Sequence, residues 1–166
     1  AVVFSSSLAR AGELPKTPEE FLKYFSFFTG EWKGTTKSGS KTLTETWVIE
    51  ETSNKVCHLV IASVDGQPSG ISLWGLDPKT KQWKGTYFGA NGSHGTMTIL
   101  DSPKGPEIKP GDIFTSTGKG TTLEGEPTTD STKWIIVDKD TVRWEATNQR
   151  KGGEKVPDEV TVMKRQ

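Results

Sequence analysis

The sequence predicts an all-β fold, a single antiparallel up-and-down barrel of about ten strands with one N-terminal α-helix. Three observations carry that expectation. From Gly30 onward, Thr, Val, Ile and Trp fill short runs separated by Gly, Pro, Asn and Asp clusters, and these residues favour the half-exposed pleated surface of a strand. Several runs alternate. Leu43, Trp47 and Ile49 share one face against Thr42, Thr44 and Thr46, and Val142, Trp144 and Ala146 oppose Arg143, Glu145 and Thr147. The six tryptophans, Trp32, Trp47, Trp74, Trp83, Trp134 and Trp144, fall on different runs, so several must converge on one interior. A meander of this length avoids exposed edges most simply by closing on itself.

The helix is expected over residues 17–28. Thr17 can cap it, Pro18 suits its first turn, and Glu20 completes a capping box. Phe21, Leu22, Phe25 and Phe28 form an apolar stripe at helical spacing, which in a mostly β chain would pack across an open barrel end or over one sheet face. Candidate strands span 31–36, 41–50, 55–64, 70–76, 82–88, 95–100, 112–117, 121–126, 133–137, 141–148 and 154–163. Turns are expected at Asp65-Gly66, Asp77-Pro78, Asn91-Gly92 and Lys139-Asp140. The segment 101–111 contains Pro103, Pro106 and Pro110 and interrupts the meander. It reads as a surface connection, with a lid over a barrel mouth as the alternative.

At 166 residues the chain has the size of one domain. Residues 17–166 are assigned to the barrel and 1–16 to an N-terminal arm. The arm begins with small and apolar residues and ends in an Ala9-Arg10-Ala11 triplet of the kind signal peptidase cuts. Export to a periplasmic or extracellular location is therefore one expectation, and a cytoplasmic protein with an ordinary arm is the other. No later stretch reaches the roughly 18 apolar residues needed to span a membrane as a helix. Lys plus Arg and Asp plus Glu both number 21, and that balance argues against a dedicated nucleic-acid or anionic-membrane binder. Cys57 is the sole cysteine, which rules out an intramolecular disulfide and a Cys-rich zinc site.

The order of features resembles a known group. A Phe-rich helix leads into Phe28-Thr29-Gly30-Glu31-Trp32-Lys33-Gly34, and a hairpin later runs Trp74-Gly75-Leu76-Asp77-Pro78 to Trp83. A Val137-Asp138-Lys139-Asp140-Thr141 turn and a closing Val160-Thr161-Val162-Met163-Lys164-Arg165 strand follow. Over about Thr17 to Arg165 this is similar to a bacterial family of small uncharacterised proteins with a calycin-like barrel, related in architecture to lipocalins, fatty-acid-binding proteins and nitrobindins. The resemblance implies a barrel around an internal cavity, of the kind that holds one small apolar ligand. Nitrobindins share Gly30, Trp32 and Gly34 in position, but their haem depends on a histidine from a strand near the C-terminus. Here the histidines are His58 and His94, so haem is disfavoured and no cofactor or metal is expected.

The leading function is non-catalytic binding of a small hydrophobic molecule, with Trp32, Trp47, His58, Trp74, Tyr87 and Trp144 as candidate ligand-binding residues. The alternative is a barrel enzyme of isomerase, cyclase or lyase type acting through His58 or an inward carboxylate, with Glu45, Glu124 and Glu145 as candidates. His94 lies in a glycine-rich turn and is expected to be exposed. No nucleophile elbow or phosphate-binding loop is present.

Overall fold

The computed structural model describes residues 15, 17–103, 105 and 107–166. Most of the expected N-terminal arm and parts of segment 101–111 lie outside the described residues. The helix α1 spans Pro18–Phe25 and continues into a 3-10 turn, Ser26–Phe28. Its start is fixed by the expected capping box. Thr17 Oγ1 accepts from the Glu20 backbone N–H at 3.2 Å, and the Thr17 backbone N–H donates to Glu20 Oε2 at 3.3 Å.

Eleven antiparallel strands follow among the described residues: β1 (Gly30–Ser38), β2 (Lys41–Glu51), β3 (Cys57–Val64), β4 (Gln67–Leu76), β5 (Trp83–Gly89), β6 (His94–Asp101), β7 (Ile113–Thr121), β8 (Pro127–Asp138), β9 (Thr141–Lys151), β10 (Glu154–Lys155) and β11 (Glu159–Arg165). Neighbours in sequence pair from β1 through β9. β11 then pairs with both β9 and β1, which closes a ten-stranded barrel, while β10 adds to β9 outside it. The expected fold class is the one found. At the closure, a methyl group on Gly34 would overlap the Val162 carbonyl and sit 2.7 Å from Met163 Sδ, so β1 and β11 can approach only with glycine there. The β3–β4 hairpin turns at Asp65-Gly66, with φ of 49° and 76°, the left-handed pair that a tight two-residue hairpin needs.

Three expected boundaries are corrected. Residues 121–126 do not form a strand of their own: β7 runs on to Thr121, and a turn follows in which the Glu126 N–H reaches Thr122 Oγ1 at 3.2 Å. β8 begins at Pro127 rather than 133, because its first residues are polar yet still follow the β7 register. The expected strand 154–163 splits into β10 and β11 around Pro157, which has no N–H to offer a ladder. Within segment 101–111, the Pro103 carbonyl accepts the Tyr24 hydroxyl at 3.0 Å and Ile108 packs against the core. That segment therefore helps cover the helix end of the barrel.

Cross-strand register gives the interior two chemically different halves. Next to α1, Trp32 faces Trp47, His58 faces Trp74, Leu76 faces Trp83 and Phe114 faces Trp134. Phe21, Leu22, Tyr24 and Phe28 pack onto this apolar layer. In the far half the inward positions are mainly small or polar. Buried Thr36, Ser116, Thr132 and Thr161 bond one another in pairs, Thr36 with Thr161 at 2.7 Å and Ser116 with Thr132.

The helix junction is tied to the barrel by one cation. Arg165 donates to the Thr29 and Phe27 carbonyls at 2.6 and 2.5 Å, and its guanidinium lies 4.2 Å from the Trp32 ring centroid. These contacts satisfy backbone acceptors left open where the helix ends.

Candidate functional site

Between α1 and the barrel lies an apolar cavity of about 50 Å³. Its wall is formed by Phe21, Phe25 and Phe28 from the helical segment, Ile49 on β2, His58 and Val60 on β3, and Trp74 on β4. Trp83 on β5, Ile99 on β6, Phe114 on β7 and Trp134 on β8 complete it. The aromatic rings brace one another at edge-to-face and tilted angles. Phe21 meets Trp83 at 4.2 Å between centroids, and Trp134 lies 5.6, 5.8 and 6.3 Å from Trp47, Phe28 and Trp74. Trp74 can lie across β5 because Gly85 is beneath it; a methyl there would stand 2.7 Å from the indole. A cleft of about 90 Å³, lined by Lys81, Gln82, Leu100, Asp101 and Ser102, shares Trp83 and Ile99 with the cavity.

Two of the lining residues carry buried, unpaired nitrogens. His58 is 4% exposed, and its Nε2 has no hydrogen-bond partner among the described residues. Burial lowers the imidazole pKa, against the opposing charge of Glu51, its register partner on β2. The imidazole is therefore neutral at neutral pH. Trp134 Nε1 is likewise buried without a partner. Three other indoles donate within the chain: Trp32 to the Phe28 carbonyl at 2.8 Å, Trp47 to Glu45 Oε1 at 2.7 Å, and Trp74 to Ser72 Oγ at 3.0 Å. Buried polar groups are paired in the great majority of cases; His58 and Trp134 are exceptions among the described residues, as are Thr29 Oγ1 and Asp130 Oδ1.

The far half of the interior carries three carboxylates. Glu45 faces inward from β2 and accepts from the Trp47 indole and the Thr36 hydroxyl. Asp130 on β8 has its pKa raised by burial, partly offset by the Gly118 backbone N–H, and its Oδ1 has no partner among the described residues. Glu159 on β11 is raised first by burial, then by the charges of Glu45 and Asp130, against a hydrogen bond from Ser38. Among the described residues no group of three or more His, Cys, Asp or Glu side chains could hold a metal ion.

The structure divides the six candidate ligand-binding residues. His58 and Trp74 line the cavity. Trp32 is buried at the helix junction beneath Arg165, and Trp47 lies between Glu45 and Trp134. Trp144 packs on the core from β9. Tyr87 lies in the far half, pressed against Gly95 and Gly120. Of the candidate carboxylates, Glu45 faces inward. Glu145 points outward to Arg143 at 2.7 Å, because its neighbours Trp144 and Ala146 take the inward positions, and Glu124 is exposed in the β7–β8 turn. His94 is exposed, its ring stacked on Phe88.

Sequence reasoning did not assign Phe21, Phe25 and Phe28 to the site, because the helix read as a plug rather than a wall. It also left Trp134 in the general core. No local signal singled it out, because Trp134-Ile135-Ile136-Val137 is a continuous apolar run that assigns neither face. No described helix is long and apolar enough to cross a membrane. Compared with known families and curated proteins, the chain matches no family model and no curated protein.

Proposed function

We propose that this barrel binds one small, mainly apolar molecule at its helix-capped end, without catalysing a reaction, in the manner of calycin-like carriers. The observation that carries the reading is the aromatic cavity enclosed between the helix and the barrel. Ligand sites are lined mainly by hydrophobic and aromatic side chains, and this wall is built of them. About 50 Å³ corresponds to a few water-sized volumes, which supports a ligand of few heavy atoms and leaves no space for a macrocycle such as haem. A neighbouring cleft borders the same wall at Trp83 and Ile99.

Binding is favoured over chemistry because the inward carboxylates are in the other half of the interior and Glu51, which opposes His58, is exposed. Native mass spectrometry of protein purified from its own host tests the proposal. The expected result is a folded mass above the 18.2 kDa chain by a small adduct that is lost on denaturation. A native mass equal to the chain alone, with tryptophan emission unmoved by small apolar guests, overturns it.

A further inference from the structure

We infer that the outer face of β2–β5 is an interface between two copies of this chain, related by a two-fold axis that runs parallel to the strands between β3 and β4. Side chains alternate along a strand. Val60, Ala62 and Trp74 point into the barrel, so Leu59, Ile61, Ile71 and Leu73 point out of it. Register sets Val48, Ile61, Ile71 and Phe88 side by side in one row, and Leu59 and Leu73 in the next. Of these, Ile61, Ile71, Leu73 and Phe88 are 40, 47, 45 and 55% exposed. No Asp, Glu, Lys or Arg lies on β3 or β4, whereas Lys33, Lys133, Arg143 and Lys164 stand on the outer faces of β1, β8, β9 and β11. A contiguous apolar patch of a few hundred Å² with a polar border is the mark of an interaction surface.

The patch is complementary to itself, which is what an isologous interface requires. The axis lays β3 on β4 of the second copy and β2 on its β5. Ile61 then meets Ile71, Leu59 meets Leu73 and Val48 meets Phe88, so each apolar row covers its counterpart. The same operation brings Glu50, exposed beside Leu59, over the β5 segment that carries Lys84. Opposite charges therefore face each other at the borders. An axis across the strands would instead lay Glu50 on Val48, burying a carboxylate against a side chain that cannot pair with it. The chain has no net charge, so no long-range repulsion holds two copies apart. The six apolar side chains supply about half of the roughly 800 Å² per partner of a standard interface, and the polar border supplies the remainder. The dimer is accordingly weak, with a Kd of about 10–100 μM.

Sedimentation velocity of the full chain from about 1 to about 500 μM, a range that brackets this Kd, tests the inference. The mean mass is expected to rise from 18.2 kDa towards twice that value. Ile71→Lys should weaken association at least about tenfold, and Leu123→Lys, exposed in the β7–β8 turn, should leave it unchanged. Because position 61 of one copy lies on position 71 of the other, a mixture of Ile61→Lys and Ile71→Glu chains should dimerise although neither does so alone. A wild type that stays monomeric throughout overturns the inference, and the same chain sedimenting with phosphatidylcholine vesicles would assign the face to lipid instead. An Ile71→Lys chain that associates as wild type does, or a mixture that stays monomeric, overturns it as well. Should a variant not fold, methyl shifts on diluting the wild type decide alone. They are expected at Leu59, Ile61, Ile71 and Leu73, and shifts confined to another face contradict the interface.

Discussion

Replacing Phe25 by alanine should weaken the fold and enlarge the cavity at the same time. The Phe25 ring sits on the cavity wall, stacked 5.0 Å from Phe21 and 5.7 Å from Phe28, with Phe114 at 5.8 Å and Trp83 against it. A fully buried Phe→Ala change costs about 3–5 kcal/mol through lost transfer energy and the void left behind. Phe25 is only half-buried, so the expected loss is about 2–3 kcal/mol. For a chain of this size that lowers Tm by about 5–10 °C. The void is a missing aromatic ring joined to a space already present, so the variant should accept toluene. At a free concentration ten times Kd, toluene should restore about 1.4 kcal/mol, or roughly 3–5 °C. Differential scanning calorimetry with and without toluene reads both effects, with Leu123→Ala, exposed in the β7–β8 turn, as an unaffected control. A variant as stable as wild type, or one that toluene does not stabilise, would show that the ring is not packed as part of the cavity wall.

Other regions make separate predictions. Asp130 and Glu159 have folded pKa values raised by burial, so their contribution is fully present below their unfolded values and is lost as pH rises towards the folded ones. Asp130→Asn should therefore gain stability relative to wild type as pH rises from 4 through this window; urea titrations that show the difference constant or reversed contradict the placement. Arg165→Met removes two carbonyl bonds and the stack on Trp32, and should cost about 2 kcal/mol in urea unfolding; no loss would mean that the helix junction is held by packing alone. Tyr24→Phe deletes the bond to the Pro103 carbonyl and should cost about 1 kcal/mol, with faster amide exchange in α1. Unchanged exchange there would rule out segment 101–111 as a support for the helix.

Much of the fold could be read in the sequence because period-two alternation and turn chemistry are local. Trp47 and Ile49 against Thr46, and Val142 and Trp144 against Arg143, set their own faces, and Asp65-Gly66 set its hairpin. The beginning of β8 escaped for a physical reason. Thr128, Asp130 and Thr132 face inward, so the usual hydrophobic signal is absent where the interior is polar. The same polar half hid Asp130 and Glu159 as inward carboxylates, whereas Glu45, flanked by Leu43 and Trp47, could be read. The split of the tryptophans was beyond local patterning. Trp32 on β1 and Trp74 on β4 are both inward, yet one is closed off by Arg165 and the helix junction while the other borders space. That difference depends on how the helix sits on the barrel. The unpaired nitrogens of His58 and Trp134 depend in turn on what the far strands fail to offer them.

Diffraction from crystals held under xenon pressure tests the central claim most directly. The proposed binding site predicts xenon inside the barrel, bounded by Phe25, His58, Trp74 and Trp134, with the remaining backbone unmoved. Crystals that take up xenon at surface sites but leave this interior empty would contradict the claim that the helix-capped end of the barrel receives a ligand.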